Sequence, residues 1–137
     1  FGLKHEKSIN KILLSVKNAK NQVFLNPPIS RKELKTQISK SRVLLYRGTN
    51  DETFCMAVAE AQVLGIPAVV CDFGSLKERV KNNNTGYVCK NNKDFSLKAI
   101  KLLKDDKTWM RMHKNLIKDN NHEDWMEVAQ KWKKIID

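Results

Sequence analysis

Two glutamates eight positions apart, Glu52 and Glu60, are the residues of this chain best suited to binding chemistry. Glu60 lies among alanines and aliphatic side chains in the run ETFCMAVAEA, residues 52–61. Burying a carboxylate in an apolar helix is costly unless a cation pairs with it or a polar ligand uses it. The pattern therefore indicates a ligand-binding role for Glu60, with Glu52 as a second polar group near the start of the same segment.

The sequence around the two glutamates predicts a strand, a loop and a helix. Residues 43–46 are an apolar run, residues 47–51 are typical of a turn, and a helical pattern continues to Leu64. Thr53 is the predicted N-cap, which places the amides of residues 54–56 in a first turn that attracts phosphate. At a rise of about 1.5 Å per residue, the two glutamates stand roughly 12 Å apart, the reach of a nucleotide diphosphate-sugar.

A second unit of the same kind follows. Residues 68–71 are typical of a buried strand, and residues 72–75 lead into a helix predicted over residues 76–81. Alternating strands and helices imply a parallel sheet, in which ligands bind beyond the carboxyl ends of the strands. We expect the loops at residues 48–52 and 72–75 to meet there, with Gly74 letting a sugar or phosphate approach the backbone.

The flanking segments are predicted to be packing elements. Helical periodicity covers residues 6–19, and residues 22–25 are predicted to form a strand. A second helix runs to about residue 39, with Ser30 as its N-cap and Glu33 as the capping-box partner. Gly86 is predicted to serve a turn. From Asp94 onward three helical apolar sets follow, and no metal-ligand spacing involves the histidines, His5, His113 and His122.

Three stretches together resemble a known family: residues 52–70 (ETFCMAVAEAQVLGIPAVV), residues 74–80 (GSLKERV) and residues 85–88 (TGYV). They look like the donor-binding half of GT-B retaining glycosyltransferases of the group 1 (family 4) type. The glutamate pair, the Gly-x-Pro-apolar strand and the Gly-x-x-x-Glu helix occur here in that family's order. The resemblance is therefore specific in this segment, and it extends more weakly over nearly the whole chain.

The resemblance implies an α/β fold with a Rossmann-like, three-layer parallel sheet, the C-terminal half of a GT-B fold, with extra C-terminal helices. We expect one donor-binding domain over residues 1–137, as the C-terminal part of a longer enzyme whose N-terminal acceptor domain is its partner. The implied activity is retaining transfer of a sugar from a nucleotide diphosphate to an acceptor hydroxyl, in glycan, glycolipid or polysaccharide biosynthesis. The chain by itself is expected to be inactive.

The resemblance also implies residue roles. Glu52, as the catalytic residue, holds sugar hydroxyls, and Glu60 holds the ribose hydroxyls of the nucleotide. Gly74 and Ser75 occupy the family's frequent Gly-Gly position, whereas Cys55 stands where glycine is usual and narrows the room near the phosphates. No Asp-x-Asp motif is present, so no metal or other cofactor is expected. The implied donor-binding set is Glu52, Thr53, Phe54, Cys55, Met56, Glu60, Gly74 and Ser75.

The formal net charge of +11 lies outside the segment that carries the glutamates. Residues 49–89 carry 3 basic and 5 acidic side chains, whereas residues 1–48 carry 11 and 2 and residues 90–137 carry 12 and 8. A nucleic-acid-binding protein concentrates positive charge on its recognition element, so no nucleic-acid partner is expected. Lysines spread along helices favour anionic lipid headgroups instead, which predicts peripheral contact with a membrane.

The three cysteines, Cys55, Cys71 and Cys89, lack metal-ligand spacing. Free thiols are typical of a reducing compartment. The sequence has no apolar run of about 18 residues, the length needed to cross a bilayer, and no signal-peptide layout at its start. We therefore expect a cytoplasmic protein, peripheral to the membrane where it contacts lipid.

Other interpretations of the same residues remain open at this point. Glu52 can be an ordinary acidic residue at a helix N-terminus, and Glu60 can form a structural ion pair with Arg47 or Arg79. The whole chain can be a non-catalytic basic module that binds anionic membrane or nucleic acid. It can also be a sugar-nucleotide epimerase with GT-B architecture.

Overall fold

The computed structural model describes residues 3–19, 23–119 and 125–136 of the chain. It divides into two compact units, Phe1–Leu34 and Lys35–Asp137. The prediction of a single domain over residues 1–137 stays a prediction. The helices and strands, in chain order, are α1 (Leu3–Asn18), α2 (Arg31–Ser39), β1 (Leu44–Tyr46), α3 (Met56–Val63), β2 (Ala68–Cys71), α4 (Leu76–Arg79), β3 (Gly86–Cys89), α5 (Asn92–Lys104), α6 (Asp106–Lys118) and α7 (Trp125–Ile136).

The three strands form one parallel sheet in the order β1-β2-β3. The strand predicted at residues 68–71 is confirmed, and every residue of β2 is buried. Neighbouring residues of β2 point to opposite faces, because side chains alternate along a strand. Val70 belongs to one hydrophobic cluster and Val69 to another, so the middle strand contributes to a core on each face of the sheet.

The two clusters give the second unit three layers. On one face, residues of α3 and α4 pack against β2, with Val58 and Leu76 fully buried. On the other face, Leu102 of α5 and Met112 of α6 pack against β2 and β3. Covering both faces of a parallel sheet with helices is the arrangement such sheets require. The predicted α/β fold, with a three-layer parallel sheet and added C-terminal helices, is therefore confirmed.

In the first unit, the strand predicted at residues 22–25 is wrong where it can be compared. Gln22 lies outside the described residues, and residues 23–25 form no strand, with the Phe24 side chain 78% exposed. A strand needs a neighbour for its backbone hydrogen bonds, and none of the described strands pairs with this segment. The local apolar pattern alone therefore does not produce a strand here.

The capping box predicted at the start of α2 is confirmed. The Glu33 carboxylate accepts hydrogen bonds from the Ser30 amide at 3.0 Å and the Ser30 hydroxyl at 2.7 Å, and the Glu33 amide donates to Ser30 Oγ at 3.3 Å. The hydrogen bonds from Ser30 lower the pKa of the Glu33 carboxyl. This pairing follows from sequence because both partners lie within one turn.

Gly86 follows the predicted turn, and its carbonyl accepts from the Asn83 amide at 2.9 Å, but the lack of a side chain at Gly86 serves the sheet. It is the first residue of β3, and a Cβ at this position would clash with the Ala68 carbonyl of β2. The positive φ of the preceding turn belongs to Asn83, at 61°. Gly86 therefore allows two strands to approach closely at the start of their pairing.

The helical pattern predicted after residue 94 appears as α5, α6 and α7. Trp109 and His113 of α6 have structural contacts: the Trp109 indole donates to the Arg42 carbonyl at 2.6 Å, and His113 Nδ1 lies 2.7 Å from the Gly65 carbonyl. Their rings stack with centroids 4.9 Å apart. None of the helices in the described ranges combines the length and the apolar character required to span a membrane.

Candidate donor-binding site

The loops after β1 and β2 meet at the carboxyl edge of the sheet, as predicted. The Ser75 amide donates a hydrogen bond to the Glu52 carbonyl at 2.9 Å. Gly74 has a φ of +48°, and a Cβ there would clash with the same carbonyl. Gly74 was expected to leave room for a ligand, whereas the structure uses that room for the backbone of the neighbouring loop. The two loops are therefore fixed against each other.

The Glu52 carboxylate is held from two sides. Oε1 accepts from the Cys55 amide at 3.0 Å, and Oε2 accepts from the Tyr46 hydroxyl at 2.5 Å. The hydrogen bond to Glu52, together with burial, raises the pKa of Tyr46 to about 12. The Tyr46 hydroxyl thus donates to a carboxylate that is itself half-buried.

The predicted start of the helix is wrong. Helix α3 begins at Met56 with Cys55 as its N-cap, two residues after Thr53. The physical reason is the Glu52 side chain, which folds back to accept the Cys55 amide and closes a turn where the first helical turn was expected. Thr53 and Phe54 are exposed in that turn. The amides that open the helix therefore begin at Met56.

Cys55 has an unusual backbone for its side chain. Its φ is 58°, in the left-handed region that disfavours residues with a Cβ, and its side chain makes no capping hydrogen bond. The side chain is 5% exposed and packs in the cluster beneath α3. Burial, the largest influence, raises the pKa of the thiol, while the nearby Val58 amide favours the thiolate. In the described part of the chain all three cysteines are free and buried.

Glu60 lies in the second turn of α3 and is only half-buried, so its predicted deep burial is wrong. The buried face of the helix consists of Val58, Ala61 and Gln62. Glu60 stands on the flank of this face, because the residues that face the sheet are three or four positions apart. Its carboxylate is therefore partly exposed at the side of the helix.

Two further groups lie beside the start of α3. The Ser75 hydroxyl is buried and has no hydrogen-bond partner among the described residues. The Arg79 guanidinium lies 3.5 Å from the centre of the Phe54 ring and donates to the Phe54 carbonyl at 3.1 Å. Within the described ranges, no group of three or more His, Cys, Asp or Glu side chains is arranged to hold a metal.

The sequence profile of the family described as glycosyl transferases group 1 matches residues 2–123 of the chain. The chain belongs to this family. As a group 1 glycosyl transferase domain it is part of the machinery of glycosyl transfer, and its three-layer sheet is consistent with half of a GT-B fold. A search of curated proteins finds no matching relative.

Sequence reasoning missed Tyr46 in this glycosyl transferase domain. The sequence shows Tyr46 only as the last residue of an apolar strand, typical of core packing. The available signal is its place at the carboxyl end of a parallel strand, the edge where polar groups meet ligands. A hydroxyl at that end of a strand is a stronger functional indication than the same hydroxyl in the middle.

Proposed function

We propose that the chain binds a nucleotide diphosphate-sugar at the carboxyl edge of its sheet and serves retaining transfer of the sugar to an acceptor hydroxyl. The observation that carries the proposal is the hydrogen bond that joins the Glu52 loop to the Gly74 and Ser75 loop at this edge. The proposed setting is glycan, glycolipid or polysaccharide biosynthesis in the cytoplasm, in a protein that contacts the membrane peripherally. An N-terminal acceptor domain is the proposed partner.

The proposed position of the diphosphate is the N-terminus of α3. The Cys55 amide already donates to Glu52, and the Ala59 amide donates to the Cys55 carbonyl. The proposed donors are therefore the amides of residues 56–58, in the first turn of α3, in place of residues 54–56. An N-terminus without a side-chain cap attracts anions through its amides and its dipole. The proposal therefore keeps the helix as the phosphate site and moves the contact by two residues.

Ser75 and Arg79 support the same position. A buried hydroxyl without a partner is rare in proteins and indicates a group that a ligand completes. Ser75 Oγ is such a group, in the loop tied to Glu52. Arg79 lies against Phe54, just before the helix, and brings positive charge to the place where the diphosphate leaves. Amides and cationic side chains together stabilise the departing phosphate without a metal in this proposal.

The reaction follows from these positions. The bond between the anomeric carbon and the phosphate oxygen breaks, and the nucleotide diphosphate takes the electron pair. An acceptor hydroxyl attacks the anomeric carbon from the same face and transfers its proton to the departing phosphate oxygen. Glu52 orients the sugar hydroxyls, and Glu60 holds the ribose at the side of α3. Orientation of this kind lowers the barrier because the reacting groups no longer lose their freedom during the step.

The test is an amide NMR titration of the isotopically labelled protein with UDP, GDP, ADP and their glucose conjugates. We expect selective shifts at residues 53–57 and at Gly74 and Ser75 with one nucleotide. In Glu60→Gln we expect about tenfold weaker binding of both the diphosphate and its conjugate, a loss of about 1.4 kcal/mol, because both contain the ribose. Glu127→Gln on α7 is the matched control and leaves binding unchanged.

Other outcomes would contradict the proposal. Equal binding by the wild type and Glu60→Gln would remove the role of Glu60, and absence of shifts in the full-length natural protein would remove the donor site. An epimerised sugar formed from donor alone would identify an epimerase instead. Salt-dependent binding to anionic vesicles that survives loss of both glutamates would identify a basic binding module.

A further inference from the structure

The Tyr46 hydroxyl has a specific place at the proposed site. We propose that Tyr46 is a positioning residue, which holds the Glu52 carboxylate in the orientation that receives the sugar hydroxyls of the donor. The inference rests on the proposed donor site and adds a residue to it. It concerns the sugar part of the donor and leaves the nucleotide diphosphate to other groups.

Glu52 is anchored by hydrogen bonds to its side chain and to its backbone. Its two carboxylate oxygens accept from different directions, Oε1 from the Cys55 amide at 3.0 Å and Oε2 from the Tyr46 hydroxyl at 2.5 Å. Its carbonyl accepts from the Ser75 amide at 2.9 Å. Both the backbone and the end of the side chain are thus anchored, and the carboxylate cannot rotate without breaking a bond to Tyr46 or Cys55.

The Glu52 carboxylate can still accept hydrogen bonds from a ligand. An ionised carboxylate has about four lone-pair positions. The two protein donors occupy one on each oxygen, so about two positions remain for hydroxyl groups of a ligand. Tyr46 therefore leaves part of the hydrogen-bonding capacity of the Glu52 carboxylate unused. It fixes the direction in which the remaining lone pairs point.

Tyr46 is itself held rigidly by its strand and by packing. It is the last residue of β1, pairs in register with Val70 of β2, and packs against the core cluster beneath α3. Two residues after Tyr46, a Cβ on Gly48 would clash with the Leu76 side chain, so the chain is closely packed where it leaves β1. A donor on a strand with a packed ring holds its partner more firmly than one on a loop.

The alternative is that Tyr46 only anchors the loop. The two roles differ in what they affect. Loss of a loop anchor weakens every ligand at this edge, including a bare diphosphate. Loss of a positioning group weakens the contact with the sugar and leaves the diphosphate contacts of α3 intact.

The experiment compares Tyr46→Phe with the wild type, using UDP, GDP and ADP and the glucose conjugate of whichever diphosphate binds. We expect affinity for the conjugate to fall about tenfold and affinity for the bare diphosphate to stay within about twofold. Tyr87→Phe is the matched control, a fully buried tyrosine on the opposite face of the sheet, and it changes neither. Equal losses for both ligands, or no loss for the conjugate, would overturn the inference.

A second measurement needs no ligand. The chain has two tyrosines, so Tyr87→Phe leaves Tyr46 as the single reporter of tyrosinate absorbance. The hydrogen bond to Glu52 and burial, with smaller contributions from the Cys55 thiol and the Glu52 charge, raise the pKa of Tyr46 to about 12 from its ordinary value of 10.0. We expect ionisation well above pH 10, moving back toward 10 in Glu52→Gln. A midpoint at 10 in folded Tyr87→Phe protein would show that the bond is absent and overturn the inference.

The outcomes separate the inference from the proposed function. If the wild type binds the conjugate and Tyr46→Phe binds it equally well, the inference alone is wrong. If neither the wild type nor the variant binds any diphosphate or conjugate, the donor site itself is wrong, and the inference falls with it. A selective loss for the conjugate supports both.

Discussion

Three longer helices of the second unit, α3, α5 and α6, begin in two different ways. In α5 and α6 the N-cap backbone is extended and its side-chain oxygen accepts a helix amide: Asn91 from Asp94 at 2.9 Å, and Asp105 from Thr108 at 3.0 Å. In α3 the N-cap is Cys55, with a φ of 58° and no side-chain capping bond. The N-cap side chains of α5 and α6 thus accept a helix amide, whereas the N-cap side chain of α3 does not.

The position of each helix relative to the sheet does not explain why the N-caps of α3 and α5 differ. Helix α5 follows β3, and α3 follows β1, so both begin after the carboxyl end of a parallel strand. Of these two helices, only α3 follows a loop that is tied to a second loop, through Glu52 and Ser75. The second loop leads into the four-residue helix α4, whose N-cap Ser75 also makes no side-chain capping bond. An N-cap oxygen satisfies amides that an anion would otherwise use. Among α3, α5 and α6, the comparison therefore selects the start of α3 as the one available to a diphosphate.

The largest expected effect is that of Gly74→Ala. The added Cβ would clash with the Glu52 carbonyl at a residue whose φ is +48°. A residue with a side chain in such a conformation costs on the order of 1–3 kcal/mol. We expect loss of unfolding free energy in this range, and donor affinity reduced by about tenfold or more because the two loops separate. Chemical denaturation and donor titration measure the two effects.

Gly65→Ala is the control for that variant. Gly65 has a comparable φ of +73° but follows the C-terminal end of α3, where its neighbours are His113 and Ile117. We expect a similar loss of stability and unchanged donor affinity in the folded fraction. Equal losses of donor affinity in both variants would show that strain anywhere around α3 disturbs binding, and would remove the special status of its N-terminus.

Cys55 tests the same end of the helix through its backbone. A left-handed φ costs an L residue roughly 1–2 kcal/mol, and the greater entropy loss of glycine offsets roughly 0.5–1 kcal/mol of that difference. We therefore expect Cys55→Gly to be more stable than Cys55→Ala by about 0.5–1 kcal/mol. Both variants lack the thiol, so the comparison isolates the backbone. Thermal and chemical unfolding measure it.

The opposite order is expected inside α5. Ala99 is buried in a regular helix, where glycine is less stable than alanine by about 1 kcal/mol. Ala99→Gly is therefore predicted to destabilise, whereas at position 55 glycine is predicted to be the better of the two substitutions. Alanine preferred at both positions would mean that Cys55 carries no backbone strain.

Sequence reasoning succeeded where the physical cause is local or follows from the alternation of strands and helices along the chain. The strand at residues 68–71 is a short apolar run, and the capping box of Ser30 and Glu33 lies within one turn. The meeting of the loops that contain Glu52 and Gly74 followed from the geometry of parallel sheets. These features need no knowledge of which side chains meet across the fold.

The predictions failed where a distant partner decides. The start of α3 depends on the Glu52 carboxylate, which accepts the Cys55 amide and is held by the Tyr46 hydroxyl of β1, and the helical pattern after Thr53 does not show this contact. Gly86 is required by the Ala68 carbonyl of the neighbouring strand. The failed strand at residues 22–25 lacks a described pairing partner. In each case contacts across the fold outweighed local propensity.

The smallest expected effect concerns the closed end of α6. Hydrogen bonds from Thr108 lower the pKa of Asp105 below its ordinary value of 3.8. Since the folded state holds the carboxylate more strongly than the unfolded state, this contribution is complete above the ordinary pKa and is lost as pH falls through the lower folded value. Asn is as good an N-cap as Asp and does not titrate in this range. We therefore expect the unfolding free energy of Asp105→Asn to fall less steeply than that of the wild type as pH decreases below about 4. Donor affinity at neutral pH is expected to stay unchanged. A change in donor affinity would contradict the division between closed structural helix ends and the open end of α3, because α6 would then contribute to the site.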